Sequence, residues 1–241
     1  SYRRAEVASE ISYLWGGSQL IGGPVLTIPY IVKRTEIRSN GTAIDHEDRR
    51  LVYVLPEALA VNAAVNAERR YRSIYDVLVY GANLDLTGKF ILTDFAQWGI
   101  EAKDVRWNEA TMAVGISDLH GVQSAKFALD GRALTLTPNL SKTQFFDTGL
   151  LARLPETEPY IAGGVRAFSV ALAVNGSSAL RLLPFGNGTK VKMTANWPHP
   201  NFIGASLPTT REIGAAGFSA EWLLSYLARP YPPTWRAEDL D

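Results

Sequence analysis

The amino-acid sequence predicts a mainly β protein, a large antiparallel β-sandwich of about a dozen strands with one short N-terminal helix. Two observations indicate this class. Apolar and polar residues alternate along many short segments, and turn-forming pairs, Asp130-Gly131, Asn175-Gly176 and Asn187-Gly188, stand between them. With 46% hydrophobic and 20% charged residues among 241, the chain is able to bury a sizeable core. We expect a single domain over residues 1–241, and a division into two sub-sheets or halves stays open.

The N-terminal part contains the predicted helix and the first strand. In residues 2–15 the apolar positions recur at three- and four-residue spacing, which predicts an amphipathic helix. Residues 25–32 predict a strand, and Pro29 confines that strand to an edge or a bulge. The charged and polar residues 34–50 predict a hairpin tip or a mobile loop.

Two long strands are predicted next. The alternation from Leu59 to Ala67 predicts a half-buried strand, whereas residues 74–86 are apolar on both parities and predict a strand that is covered on both faces. Short helical turns are plausible at residues 95–98 and 101–104. Further strands are predicted over residues 109–117, 124–129, 133–137, 149–154, 166–174, 180–184, 190–195 and 217–226, with the three Asx-Gly pairs as type I′ hairpin turns.

Composition excludes several classes of function. The chain has no cysteine, hence no disulfide, thiolate nucleophile or cysteine-ligated metal, and His46, His120 and His199 have no metal-ligand spacing. We predict no metal and no cofactor, with a carboxylate-only calcium site left open. Twenty-four basic and twenty-four acidic residues balance, so no nucleic-acid partner is expected. The sequence has no apolar run of membrane-spanning length, and its start at Ser1 and end at Asp241 suggest a fragment of a longer protein.

The first candidate binding cluster is residues 68–75, where three arginines and two tyrosines precede a buried strand. Arginine pairs bidentately with carboxylate or phosphate and stacks on tyrosine, so Arg70, Arg72 and Tyr75 are candidates for contact with an anionic ligand. The alternative is a ladder of cross-strand ion pairs on a solvated face of the sheet.

The second candidate cluster is residues 196–208, a segment with three prolines from which Trp197, His199 and Phe202 are expected to project. Rigid aromatic loops often form glycan- and peptide-binding surfaces. The alternative is a loop whose Trp197 and Phe202 close the edge of the sandwich. No catalytic residue is predicted, because the sequence pairs His199 with no carboxylate or nucleophile and contains no serine-hydrolase elbow; a pair of glycosidase carboxylates stays open.

A family resemblance joins these motifs. In chain order, from about Glu6 to Trp235, they are Ile21-Gly22-Gly23-Pro24, Ile28-Pro29-Tyr30, Leu55-Pro56-Glu57, residues 68–75, Gly115-Ile116-Ser117-Asp118, residues 197–204 and Gly217-Phe218-Ser219-Ala220-Glu221-Trp222. Together they resemble the CreD family of bacterial inner-membrane proteins.

The resemblance implies an extracytoplasmic domain on the periplasmic face of the inner membrane, placed between an N-terminal transmembrane helix and a C-terminal helical bundle. Its partners would be the parent transmembrane helices, with peptidoglycan or an envelope protein as further candidates. Family members are associated with envelope integrity and stress response, and no catalytic residues are assigned in the family. We therefore expect a non-enzymatic binding module. The alternatives are a carbohydrate- or peptide-active enzyme acting on the cell wall, and a structural spacer.

Overall fold

The computed structural model describes residues 15–72, 75–138, 145–155, 162–228 and 231–239. Those residues form fifteen strands and six short 3-10 helices and pack as two sheets, so the predicted mainly β sandwich is confirmed. The strands are β1 Gln19–Ile37, β2 Ala43–Val54, β3 Ala58–Arg72, β4 Tyr75–Ile91, β5 Thr111–Ile116, β6 Val122–Leu129, β7 Arg132–Ala133, β8 Leu136–Pro138, β9 Gly149–Arg153, β10 Val165–Ser177, β11 Leu180–Leu183, β12 Gly188–Ala195, β13 Thr210–Gly214, β14 Gly217–Ser225 and β15 Thr234–Arg236. The 3-10 helices are Phe95–Trp98, Ala102–Asp104, Trp107–Glu109, Leu119–Gly121, Tyr226–Ala228 and Ala237–Asp239.

The two sheets differ in size and connectivity. The smaller sheet has the order β15-β2-β1-β5-β9-β8, with β11 paired to β1, and the larger has the order β13-β14-β12-β3-β4-β10-β6-β7. Most neighbours are antiparallel, as predicted, but β1 with β11 and β3 with β12 are parallel. The parallel β3–β12 pair determines which loops meet at the end of the larger sheet.

The main core lies between the inner faces of the two sheets. Alternate residues of β3, β4 and β10 point into it from the larger sheet, and residues of β1, β2 and β5 from the smaller one. Its largest fully buried side chains include Leu26, Ile28, Leu84, Leu86, Phe90 and Met112. Alternation predicted the inward face of β3 correctly, because its outward residues are exposed or half-buried.

A second apolar cluster covers the opposite face of the smaller sheet. It contains Val25, Leu55 and Ala113 with six aromatic residues, Tyr53, Phe145, Phe146, Phe185, Tyr231 and Trp235. The rings of Tyr231 and Trp235 stack with centroids 5.4 Å apart, and Phe145 meets Tyr53 edge to face at 5.0 Å. The smaller sheet is therefore buried on both faces.

Two glycines make room for this cluster. A Cβ added at Gly115 would overlap the Phe146 ring, and one at Gly22 would lie 3.0 Å from the same ring. The register of β1 against β5 also shifts between Gly22 and Val25, where Gly23 has a φ of 108° and forms a cis peptide bond with Pro24. Phe146 therefore lies directly on the backbone of the two central strands.

Several predicted details are corrected by the structure. Residues 34–50 are mostly strand, because β1 and β2 continue past the sandwich as a two-stranded arm with only residues 38–42 between them. Strand β1 is central rather than an edge, yet Pro29 is paired only to β2, since the pairing with β5 ends at Thr27. Two-sided burial in β4 holds at Val79 and Tyr80, after which the outward residues are exposed or half-buried.

Only one of the three Asx-Gly pairs forms the predicted hairpin turn. Asp130 and Gly131 both have positive φ, 47° and 78°, between β6 and β7. Asn175-Gly176 lies inside β10, and Asn187-Gly188 leads into β12, whose strand neighbours are β3 and β14 rather than β11. The predicted 3-10 turns near residues 95–98 and 101–104 are present, and the predicted helix over residues 2–15 falls almost wholly outside the described residues.

Replacing Gly115 tests the close approach of Phe146. Gly115→Ala should lower the free energy of unfolding by about 1–3 kcal/mol, because the added methyl group displaces a ring that is packed against the strand. Equilibrium urea unfolding measures the change. Gly188→Ala is the matched control, since a Cβ there has no atom within 4 Å; equal effects of the two substitutions would contradict the packing.

Candidate functional site

The two sequence-predicted clusters lie side by side at one end of the larger sheet. Because β12 runs parallel to β3, with Ala195 opposite Val65, the segment that follows β12 leaves the sheet beside residues 66–70. We call residues 196–202 the Trp197 loop. The sequence patterns of the two clusters did not predict this proximity, because it depends on the pairing of β3 with β12, two strands about 130 residues apart.

Asn196 attaches the Trp197 loop to β3. Its side-chain oxygen accepts a hydrogen bond from the Ala67 N–H at 2.7 Å. Its amide nitrogen donates to the Ala67 carbonyl at 3.1 Å and to the Asn66 side-chain oxygen at 2.7 Å. One side chain thus replaces the backbone pairing that would continue the strand, and it fixes where Trp197 begins.

Trp197 is half-buried and held from two sides. The Arg69 guanidinium lies 5.4 Å from the indole centroid, within the range of a cation–π contact. The indole N–H donates to the His199 carbonyl at 2.8 Å, which closes a short turn, and the exposed His199 ring meets the indole edge to face. Trp197 is therefore fixed in orientation, with His199 beside it at the surface.

Phe202 does not project from the Trp197 loop toward solvent, as a binding surface would require. It is half-buried and packs edge to face against Phe218 and Trp222 of β14, with ring centroids 5.3 and 5.6 Å away. The position of Phe202 therefore corresponds to the alternative interpretation, in which the residue closes the edge of the sandwich. Trp197 and His199 remain the outward part of the loop.

Arg70 lies on the opposite face of β3 from Arg69. Its guanidinium contacts Glu68 of the same strand at 2.6 Å and lies 4.2 Å from the Trp15 ring centroid. The Trp15 indole N–H donates to the Tyr80 carbonyl at 3.2 Å. An anionic ligand at Arg70 would have to displace Glu68, so Arg70 serves first to hold Trp15 against the sheet.

Two of the predicted residues lie at the limit of the described chain. Arg72 and Tyr75 are opposite each other in the register of β3 and β4, and their side chains fall outside the described residues. Tyr71, which the sequence analysis did not single out, is 73% exposed at the end of β3. It has the same strand parity as Arg69, so it extends the Trp197 side of this end of the sheet. Exposure of a large aromatic residue is a signal that sequence alone does not provide.

Asp118 fixes the chain on the Trp15 side of this end. One of its oxygens accepts the Gly17 N–H at 2.7 Å, and the other accepts the His120 N–H at 3.0 Å. Burial alone would raise the pKa of Asp118, but these N–H donors and the adjacent His120 ring outweigh it and hold the pKa below its ordinary value. The buried Gln19 side chain donates to the Asp118 and Asn175 carbonyls, at 2.9 and 3.0 Å. This network is an anchor for the first strand.

The described residues offer little catalytic machinery at the Trp197 loop. In that part of the chain no carboxylate lies within ion-pair distance of the His199 ring. His120 and His46 do contact carboxylates, Asp118 at 3.2 Å and Glu36 at 3.0 Å, but away from the Trp197 loop. No group of three or more His, Asp or Glu that could hold a metal ion occurs among the residues the structure describes.

Comparison with known proteins decides the family. A family model described as "Inner membrane protein CreD" matches residues 1–241. The chain belongs to the CreD family. It is 27% identical over 226 residues to the inner membrane protein CreD of Escherichia coli (strain K12), which covers 93% of this chain and 49% of that protein. The chain thus spans about half the length of the curated relative it matches.

The CreD match agrees with the motifs that carried the resemblance. It makes the chain a member of a family of inner-membrane proteins. No helix in the described ranges is long and apolar enough to span a membrane.

Acid titration tests the role of Asp118. The folded state lowers the pKa of Asp118, so the stabilisation it provides is complete above the ordinary aspartate pKa of about 3.9 and is lost as the pH falls through the lower, folded value. Urea midpoints measured from pH 6 to pH 2.5 should fall less steeply below pH 4 for Asp118→Asn, which retains one acceptor for Gly17 but no titrating group. Parallel pH profiles for the two proteins would show that Asp118 is not stabilised as described.

Removing Asn196 tests the attachment of the Trp197 loop. Asn196→Ala should cost about 1 kcal/mol of stability, because exposed hydrogen bonds contribute modestly, and it should speed hydrogen exchange of the Ala67 amide. Asn201→Ala is the control in the same loop, since no hydrogen bond joins its side chain to a described residue. An unchanged Ala67 exchange rate in Asn196→Ala would contradict the anchoring role.

Proposed function

We propose that this chain is a periplasmic domain of an inner-membrane protein of the cell envelope and acts as a binding module rather than as an enzyme. Membership of the CreD family supports the membrane and envelope setting. The observation that carries the binding role is the Trp197 loop, which is fixed by Asn196 and Arg69 and leaves Trp197, His199 and Tyr71 at one end of the larger sheet.

Rigidity is the reason this arrangement favours binding. A loop that is ordered before a ligand arrives loses little further entropy on association. Indole and phenol rings supply flat apolar surface with a polar edge, which suits sugar rings and peptide groups. The proposed ligand class is therefore peptidoglycan-derived glycan or peptide, with an envelope protein as the alternative source of the same contacts.

The competing hypothesis is an enzyme that acts on cell-wall carbohydrate or peptide. It requires a nucleophile or a pair of carboxylates within reach of a substrate. In the described part of the Trp197 loop the only imidazole is that of His199, which meets the Trp197 indole edge to face. The binding-module hypothesis therefore needs no nucleophile or carboxylate pair in addition to the residues described at this end of the sheet.

A thermal-shift panel tests the proposed function. Muropeptides, glycan strands, lipid headgroups and β-lactams are each added to the 241-residue chain. A ligand at about 100 times its dissociation constant stabilises the folded state by about 2.7 kcal/mol, which corresponds to a rise in Tm of about 5–10 °C for a chain of this size. We expect a shift with muropeptides or glycan strands.

Substitutions localise that shift. Trp197→Ala and Tyr71→Ala should abolish it, whereas Tyr226→Ala, which removes a tyrosine of comparable exposure on another part of the surface, should leave it intact. Retention of the shift in Trp197→Ala and Tyr71→Ala would place the ligand elsewhere. A panel without any shift would contradict glycan or peptide binding and favour a protein partner or a structural spacer.

A further inference from the structure

The outer face of the larger sheet has an unusual composition. In the middle of its three central strands, from Ala58 to Asn66 of β3 and along the residues paired with them on β4 and β10, only Lys89 among the outward residues has a side chain longer than that of asparagine; the longer Glu68 and Arg70 follow at the end of β3. The outward residues are Ala58, Ala60, Asn62, Ala64, Asn66, Gly81, Asn83, Asp85, Thr87, Lys89, Ala167, Ser169, Ala171, Ala173 and Asn175. All of them are exposed or half-buried, so no described element covers this face.

This composition does not suit a strand that simply faces water. Alanine, glycine, asparagine and aspartate are depleted in strands, and exposed positions usually hold β-branched, aromatic or long polar side chains. Short side chains instead give a flat surface that another flat surface can approach closely. Composition alone does not identify the molecule that binds this face, but it indicates a face that is shaped for close contact.

The face also has an apolar region. Val165 and Ile91 are paired at one end of the sheet and are 57% and 39% exposed, and Leu223 of β14, which is paired with Lys190, is 61% exposed. Beside Leu223 is a shallow depression of about 650 Å³ whose lining includes Ala58 and Ala60. Sheet-on-sheet contact would remove these side chains from water.

We propose that the outer face of the larger sheet is the surface through which two copies of this chain associate, sheet against sheet. Five strands at about 4.8 Å spacing and nine residues at about 3.3 Å rise give a face of about 24 by 30 Å, or about 700 Å² per copy. Stable interfaces bury about 600–1,000 Å² per partner. The face is therefore large enough for a dimer without help from other surfaces.

The charges favour one arrangement of the two copies. Ala60, Thr87, Ser169 and Ala128 form one row across the strands. On β4, Asp85 is the next outward residue on one side of this row and Lys89 is the next outward residue on the other side. A two-fold axis along the row exchanges the two sides, so it places Asp85 of one copy opposite Lys89 of the second copy. The symmetry creates this pair twice, and neither residue forms an ion pair with another described residue.

The alternative axis is disfavoured. An axis along β4 would place Asp85 over Asp85 of the second copy, and like charges in close contact are destabilising. In the favoured arrangement Lys190 lies on the axis row and therefore faces Lys190 of the second copy. Its ammonium is already paired with a carboxylate of its own chain, because it lies 3.6 Å from Glu221. Charge complementarity therefore selects the axis across the strands.

Sedimentation of the 241-residue chain tests the proposal. Over a concentration series from about 1 to 200 µM we expect a monomer–dimer equilibrium. Ala60→Arg, on the axis, should leave the chain monomeric throughout the series, whereas Ala102→Arg, an exposed alanine of a 3-10 helix outside this face, should dimerise like the parent. Circular dichroism confirms that each variant is folded.

Charge reversal tests the arrangement itself. Asp85→Lys and Lys89→Asp should each raise the dimer dissociation constant about tenfold, and the double reversal should restore it to within about threefold. Within one chain the two residues are four apart on a strand, about 13 Å, so direct contact cannot explain a rescue. Failure of the double variant to recover would overturn this arrangement.

Crosslinking extends the test to the intact membrane protein. The chain has no cysteine, so Thr87→Cys provides a single reactive thiol on the axis row. Oxidation should yield a disulfide-linked homodimer. A chain that is monomeric at every concentration and gives no such crosslink overturns the proposal, and a crosslink to a different protein would assign the face to that protein. The thermal-shift variants at Trp197 and Tyr71 lie off this face, so the two proposals fail separately.

Discussion

Burial of the smaller sheet on both faces is the constraint on which the remaining architecture depends. Strand β1 sends Ile21, Leu26 and Ile28 into the main core and Val25 into the aromatic cluster. Phe146 reaches the sheet only because Gly22 and Gly115 have no side chains. Apart from Tyr53 of β2, the aromatic rings come from three distant segments, around residues 145, 185 and 231–235, so closing this second face draws much of the chain around one sheet.

The motifs shared with the family divide into a frame and a surface. Ile21-Gly22-Gly23-Pro24 forms the irregularity in β1. Gly115 leaves room for the Phe146 ring, and Asp118 anchors Gly17. In Leu55-Pro56-Glu57, Leu55 enters the aromatic cluster and the Glu57 carboxylate accepts a hydrogen bond from Asn187. The Trp197 loop differs, because its Asn196 is structural while Trp197 and His199 face outward. That contrast is why the loop, rather than the glycine motifs, is the candidate for ligand contact.

Local sequence pattern predicted the strands that have one apolar and one polar side, such as β3 and β14. It missed most of the β1–β2 arm, because its charged residues resemble a loop, although pairs such as Arg34 with Asp48, 2.7 Å apart, join its strands. Asn175-Gly176 resembles a turn, yet the backbone stays extended there and lies against the Tyr80 ring. The candidate residues were identified singly, but their meeting follows from the parallel β3–β12 pair, which no local pattern encodes.

Native-state hydrogen exchange tests the central claim most directly, since it reports which strands open without global unfolding. If the doubly covered sheet organises the fold, amides of β1 near Leu26 and of β5 near Met112 exchange only through global unfolding. Amides of the exposed edge strand β13 exchange at much lower free energy. Exchange of β1 and β5 through local opening, at free energies no higher than those of β13, would contradict the account.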